Sequence, residues 1–455
     1  MARSQIIERL HSGSLALILA AILSGGAAGA ARAEQDESGG GGKDQTFAVH
    51  AQSTLVDQAH DAFASPYVGA NSLSPKAGGR ETLDFTLFIG VRPWGGAEIW
   101  VNPEIDQGFG LSNTLGVAGF PSGEAYKVGE ADPYARLQRL FLRQTIDISG
   151  ENAKVDSDLN QLGGSEKANR LVITVGKFAV TDIFDANTYA HDPKHDFLNW
   201  ALIDTGTLDY AADAWGYTVG AAAEWYQGSW TFRTGVFDIS DVPNSTRLDS
   251  HFGQFQMESE IEKRYRIGAR QGAIRLTGFL TRGRQGRFAD AVALAEASGR
   301  SADIAAVRRY RSRTGLSVDV QQPLTDDLGA FLRAGVAGGD VEPYEFADID
   351  RTVAAGLSLS GRRWGLAQDT LALAGILNGI SRVHEQFLQA GGLGILIGDG
   401  RLPHPGPEEI VETYYDHALG RFFHVALDYQ FVNHPAYNRD RGPVSILAAR
   451  LHAQF

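Results

Sequence analysis

Residues 83–101 read LDFTLFIGVRPWGGAEIWV. Leu83, Phe85, Leu87, Ile89 and Val91 alternate with Asp84, Thr86, Phe88, Gly90 and Arg92. Successive side chains of a strand point to opposite faces, so this spacing predicts one apolar and one polar face. Pro93-Trp94-Gly95-Gly96 then breaks the chain, and Ile99 and Val101 resume the pattern opposite Glu98, Trp100, Asn102 and Glu104. A period of two on both sides of a four-residue break describes a hairpin.

The unit recurs to the end of the chain. Tyr217, Val219, Ala221, Ala223 and Trp225 oppose Thr218, Gly220, Ala222 and Glu224, and Gln227-Gly228-Ser229 leads to Trp230, Phe232, Thr234 and Val236. Phe423, Val425, Leu427, Tyr429 and Phe431 oppose His424, Ala426, Asp428 and Gln430. Leu447, Ala449, Leu451, Ala453 and Phe455 oppose Arg450, His452 and Gln454.

In a soluble sandwich the apolar faces meet in a core; in a membrane barrel they meet lipid, and the polar faces line water. Aromatic residues near strand ends, full charges on the polar faces and short turns alternating with long loops favour the barrel. The expected architecture is an all-β, transmembrane antiparallel barrel, with short periplasmic turns and long extracellular loops folding partly into the lumen. Strands are expected near 46–56, 82–92, 97–104, 138–148, 170–178, 215–226, 229–238, 254–265, 273–283, 310–320, 329–338, 348–360, 368–379, 409–419, 422–432 and 444–455. That is about 16, an even number, as closure with both termini on one side requires.

Parity decides a second stretch. Gly391-Gly-Leu-Gly-Ile-Leu-Ile-Gly-Asp-Gly400 contains the spacing G-x-G-x-x-x-G. A dinucleotide site needs a strand before such glycines and a helix after them, whereas Arg401-Leu-Pro-His-Pro-Gly-Pro407 follows. A strand there would make the count odd. The segment is therefore expected in an outer loop over 380–408, extended and packed against the lumen mouth.

The N-terminus carries Arg3 and Arg9, an apolar run over 15–23 and Ala31-Arg32-Ala33. This is the pattern of a secretory signal peptide over 1–33. Residues 34–45 are a flexible polar linker, and 46–455 form one barrel domain. Without the signal the charge is 38 basic residues against 53 acidic, a net −15, which argues against nucleic acid as a partner. The chain has no cysteine, so backbone pairing and packing must hold an exported protein without disulfides. The apolar strand ending at Phe455 is of the kind the barrel-assembly machinery reads, and outer-membrane lipids are the other expected partner.

Several stretches carry a further signal: Pro66-Tyr-Val-Gly-Ala-Asn-Ser-Leu73, Asn102-Pro-Glu104, Gln107-Gly-Phe-Gly-Leu-Ser112, Arg139-Leu-Phe-Leu-Arg-Gln-Thr145 and Gly176-Lys-Phe178. Others are Phe184-Asp-Ala-Asn-Thr-Tyr-Ala190, Phe197-Leu-Asn-Trp200, Glu412-Thr-Tyr-Tyr415, Asp428-Tyr-Gln-Phe-Val-Asn-His-Pro435 and Arg450-Leu-His452. Together, in this order and spacing, they resemble the carbohydrate-selective porin (OprB-type) family. The resemblance implies a bacterial outer-membrane channel giving passive, carbohydrate-favouring diffusion of mono- or oligosaccharides into the periplasm. Porins are often trimers, so a homotrimer is the oligomer it allows. The alternatives are a general porin and a plugged structural or adhesive barrel. Small residues on the polar faces (Gly90, Gly220, Ala222, Gly235, Ala426) favour an open lumen over a plugged one.

A sugar offers hydroxyls and apolar ring faces, so a selective pore needs donors, acceptors and aromatic platforms at a constriction. Arg139, Phe141 and Arg143 share one face of the fourth strand, and arginine presents a rigid fork of donors to adjacent hydroxyls. Asn102 and Glu104 are placed at the end of the third strand, and Lys177 near the end of the fifth. The loop 179–214 is expected to fold partly into the lumen and to present Asp185, Asn187, Tyr189, Asn199 and Trp200. Against this stands a plainer reading, in which Arg–Glu pairs only stiffen the wall, as expected for Glu224, Arg233, Arg275 and Arg333. No cofactor and no metal are expected: His191 and His195 sit on a loop without a fixed scaffold. No G-x-S-x-G or H-E-x-x-H occurs, and the dispersed carboxylates suggest no enzyme.

Overall fold

The computed structural model describes residues 44–125 and 127–455. The signal peptide, most of the linker and Tyr126 lie outside the described residues. The described residues form a closed antiparallel barrel of 16 strands, each paired with its sequence neighbours and the first with the last. The strands are β1 (Phe47–His60), β2 (Gly78–Val91), β3 (Ala97–Gly108), β4 (Glu130–Val155), β5 (Gly164–Phe178), β6 (Thr218–Gln227), β7 (Trp230–Asp238) and β8 (Phe255–Ile267). They continue with β9 (Arg270–Gln285), β10 (Arg309–Pro323), β11 (Leu328–Ala337), β12 (Arg351–Ser360), β13 (Thr370–Gly379), β14 (Glu408–Ala418), β15 (Phe423–Asn433) and β16 (Val444–Gln454). Every expected strand is present.

The two faces sort as the alternation requires. Val175, Val219, Val236, Leu276, Leu316, Leu357, Leu373 and Leu427 are exposed on the outside, the surface that lipid covers. Phe47, Trp94, Trp225, Trp230 and Trp364 are also exposed. They lie at the ends of strands near the short turns, where an interfacial girdle belongs.

Several inward glycines are filled by side chains of the neighbouring strand rather than left as space. Gly90 stands opposite Trp100, Gly176 opposite Phe141, Gly220 opposite Phe237, Gly315 opposite Phe279 and Gly356 opposite Phe331. At Gly90, Gly220, Gly315 and Gly356 the ring of the other strand lies where a Cβ would be, and at Gly176 the backbone of Leu140 and Phe141 lies there. All five rings are buried. The glycines are sockets for cross-strand aromatics, which lock register and fill the wall.

Alternation also fails at a bulge between β3 and β4. Asn102 pairs with Arg139, but Pro103 pairs with Leu137. The extra residue, Gln138, turns inward beside Arg139 and donates to Glu104 at 3.0 Å. The bulge lets consecutive polar residues share the lumen face. Asn102 and Glu104 are therefore buried in the body of β3, not placed at its end.

The stretch 391–400 is not a strand. A helix, Arg382–Gln389, precedes it, so its position in the β13–β14 loop stands. It is not extended either: Ile395, Leu396 and Ile397 are all buried, and Gly391, Gly398 and Gly400 have φ of 79°, 147° and 77°. Its partners are other outer loops, through an Asn71–Gly398 bridge and a bond from Gly116 N to Leu396 O of 2.8 Å.

Candidate functional site

The β5–β6 connection, 179–217, turns back into the barrel and carries α1 (Trp200–Ile203). Buried loop backbone needs partners for its polar groups, and the wall supplies them. Glu260 on β8 accepts from Asp185 N at 2.9 Å. Glu412 on β14 accepts from Leu198 N at 2.5 Å and Asn199 N at 3.0 Å. Arg450 on β16 donates to the carbonyls of Pro193 and Asp196, both at 2.7 Å, and of His195 at 3.0 Å. Arg333 on β11 donates to Asp185 O at 2.7 Å, to Leu202 O and to Asp319 Oδ2 at 3.0 Å. The β3–β4 loop, 109–129, lies against this segment. Its Ala118 and Gly119 amides donate to Glu408 at 2.9 and 2.8 Å, and Phe120 stacks on Trp200 with ring centres 5.0 Å apart.

This packing divides the inward charges into two sets. On β9–β11 the side chains of Arg275, Arg313, Arg333 and Asp319 are at most 8% exposed, because loops cover them. On β4 and β5, Arg136, Arg139, Arg143 and Arg170 remain 15–27% exposed. The plainer reading fits Arg275, which bonds Glu262, Asp319 and Gln321 of the wall, but is too weak for Arg333, which holds the loop. The wall left facing water is that of β4 and its neighbours.

That wall is a ladder of arginines, each beside a ring and a carboxylate. Arg136 lies 3.3 Å from the Trp215 ring centre and 3.4 Å from Asp213. Arg139 lies 4.9 Å from the Tyr217 ring and forks onto Asp182 at 2.8 and 2.6 Å. Arg143 lies 5.2 Å from Phe141 and 3.7 Å from Glu98. Arg170 lies 3.9 Å from Tyr226 and 3.0 Å from Glu166. The stack offers forked donors, acceptors and flat apolar faces together, the three features a sugar presents in complement.

The remaining candidates separate. Asn102 Nδ2 donates to Asn160 at 2.9 Å, and its Oδ1 is buried without a donor among the described residues. Glu104 accepts from Thr86 at 2.5 Å. Asp185 is buried and clamps Thr205, with Asp185 Oδ2 to Thr205 N at 2.5 Å. Asn187 donates to Asp319 at 2.7 Å. Tyr189 fills the socket over Gly329. Asn199 caps α1 at Ala201 N, 3.0 Å, and donates to Gln430. Asp185, Asn187, Tyr189 and Asn199 position the loop, while Asn102 and Glu104 bond Asn160 and the neighbouring strands. Two expectations need correction. Lys177 pairs with Leu140 and Val219, on the outward face, and its ammonium folds to Asp213 at 3.1 Å. Trp200 is buried among Phe120, Tyr210 and Phe346, so it is a packing residue and not a pore surface.

Sequence reasoning missed Lys194, which bridges Asp84 on β2 and Glu124 of the β3–β4 loop at 2.6 Å each. Burial works against its charge, but those two carboxylates hold its pKa well above the ordinary lysine range. In the outer loops, burial pushes Glu345 up to about 7, against the pull of Lys127 at 3.0 Å. It also missed Trp215 and Tyr217, whose alternation reads as strand and whose rings serve the ladder.

The family model described as "Carbohydrate-selective porin, OprB family" matches residues 71–455. No curated protein sequence matches the chain significantly. Among solved structures, the high-pH form of Pseudomonas putida OprB superposes with a TM-score of 0.67 at 14% identity, over 90% of this chain and 94% of that one. Its low-pH form gives 0.48 at 11%, over 90% and 93%. Acinetobacter baumannii OccAB1 gives 0.49 at 10%, over 90% and 96%. Only the first likeness bears on the fold, and it agrees with the 16-stranded barrel.

Proposed function

The chain belongs to the carbohydrate-selective porin (OprB) family and is an outer-membrane porin; from that premise we propose that sugars cross along the β4–β5 ladder, gripped by Arg139 and Arg143 and stacked on Trp215, Tyr217 and Tyr226. The observation that carries this is the pairing of each exposed arginine with both a ring and a carboxylate. A hydroxyl pair can bridge such an arginine and its carboxylate, while a ring face lies on the aromatic. The arginines are already compensated, so a neutral sugar meets no unpaired charge. Binding of this kind is polar and shared over several weak sites, which permits release.

The loop 179–217 serves as the opposing wall of the constriction. Asp185, Asn187 and Asn199 hold it, and Asp182 and Asp213 are carboxylates it contributes to the ladder. Outer-membrane lipid around the apolar belt, export by residues 1–33 and assembly through the strand ending at Phe455 belong to the same reading. So does a purely passive role, without catalysis. Ion current through the purified protein in a planar bilayer tests it: added neutral sugar should block the current, and channels indifferent to every sugar would mark a general porin.

A further inference from the structure

The lumen is entered from both ends. The β4–β5 turn lies on the side of the short turns, and two irregularities in the β4–β5 ladder, at Asp147/Ser149 and Ser149/Asn152, bend its hairpin. Gly150 between them has φ of 95°, a conformation that glycine adopts at little cost. The tip, 156–163, folds back inside. Asn160 O accepts from Arg143 Nη1 at 2.7 Å, and Asn160 Oδ1 accepts from Asn102 Nδ2 at 2.9 Å. Leu162 is buried in the lumen-side apolar cluster, and Gln45 and Gly163 exchange two bonds of 2.9 and 2.8 Å. By contrast, the turns at Gly228 and Gly268 have open space around them.

The tip meets the descending outer loop at one residue. Gln454 Oε1 lies 3.3 Å from His195 Nε2, and its Nε2 lies 3.5 Å from Asp158 Oδ1. His50 Nε2 is 3.2 Å from Ser157 Oγ. Asn102 beneath the tip keeps a buried acceptor without a donor among the described residues, of the kind a hydroxyl satisfies.

We infer that the tip of the β4–β5 turn, Asp158 to Leu162, is a second, periplasmic constriction, and that Asn160 with Asn102 and Arg143 forms a hydroxyl-binding exit subsite for neutral sugars. This rests on the sugar-channel reading. Arg143 belongs to both the ladder and the tip, so a sugar leaving the ladder reaches the subsite without crossing open water.

The absence of cysteine makes the test clean. N160C and D158C, in the full mature porin in a planar bilayer, receive a cationic methanethiosulfonate from the periplasmic side. Asn160 has φ of 54°, so D158C covers the case in which N160C fails to fold. Expected is a stepwise loss of single-channel current, slowed when glucose is present. A153C, on the exposed end of β4, should react with no loss. Complete modification by mass with current unchanged, or an equal loss in A153C, would overturn the inference. Sugar block of the unmodified channel is read in the same bilayer; its absence would instead sink the sugar-channel reading.

Discussion

Arg139 of the barrel wall places its Nε and Nη2 on the two carboxylate oxygens of Asp182, at 2.8 and 2.6 Å. Asp182 opens the inserted loop, so one fork both fixes the loop's start and sets a donor–acceptor pair in the water-facing ladder. A bidentate pair of this kind is geometrically specific in a way that a lysine is not.

The first prediction follows from that fork. Arg139→Ala should weaken sugar block by about tenfold or more, since a hydrogen bond to a charged group contributes roughly 1.5–3 kcal/mol. It should also raise cation selectivity, because Asp182 loses its partner. Titrating the block with glucose and measuring the reversal potential would check both; unchanged affinity would remove Arg139 from the binding wall.

Lys194→Met leaves Asp84 and Glu124 together without their cation. Breaking a buried charge set in this way costs roughly 3–5 kcal/mol. The cost should appear as a loosened loop, read as noisier and larger channel conductance and faster cleavage within 179–217 by added protease.

The aromatic sockets predict a steric effect. Gly90→Val drives a side chain into the Trp100 ring, and overpacking of this kind costs typically about 1–3 kcal/mol. The variant barrel should lose its heat-resistant mobility on electrophoresis at a lower temperature. Gly228→Ala, in open space but at φ of 58°, should cost less.

Glu345 gives a pH dependence. Its folded pKa, about 7, exceeds the unfolded value, so the folded state holds the proton more tightly. The stability this contributes is complete below the unfolded pKa, near 4.3 for glutamate, and is lost as pH rises to about 7. Glu345→Gln should therefore lose less stability than the native protein between pH 5 and 8. Parallel slopes in thermal unfolding would contradict the assignment.

Much of this was legible in the sequence because a barrel strand has one simple period. Leu83 to Val91 could be read outward, and Asp84 to Gly90 inward, without any tertiary knowledge. Parity then placed 391–400 in a loop. What stayed hidden depends on residues distant in sequence. Gln138 breaks the alternation through a bulge, and the rings of Trp100 and Phe237 fill glycines that alone suggest space. Glu412 and Arg450 resemble pore charges until the loop backbone they bind is seen. Lys177 has the composition of a lumen residue and the register of an outer one. Trp200 shows the same limit, since an aromatic in a loop can serve a pore or a core.

The central claim, that neutral sugars bind the arginine and aromatic ladder as they pass, is tested most directly by current noise through single channels in graded glucose. Saturable, reversible closures are expected in the native channel, with an affinity that falls in Arg139→Ala and is retained in Arg247→Ala, whose exposed side chain pairs with Asp241 of the β7–β8 loop, away from the ladder. Equal block in all three proteins, or none in any, would contradict it.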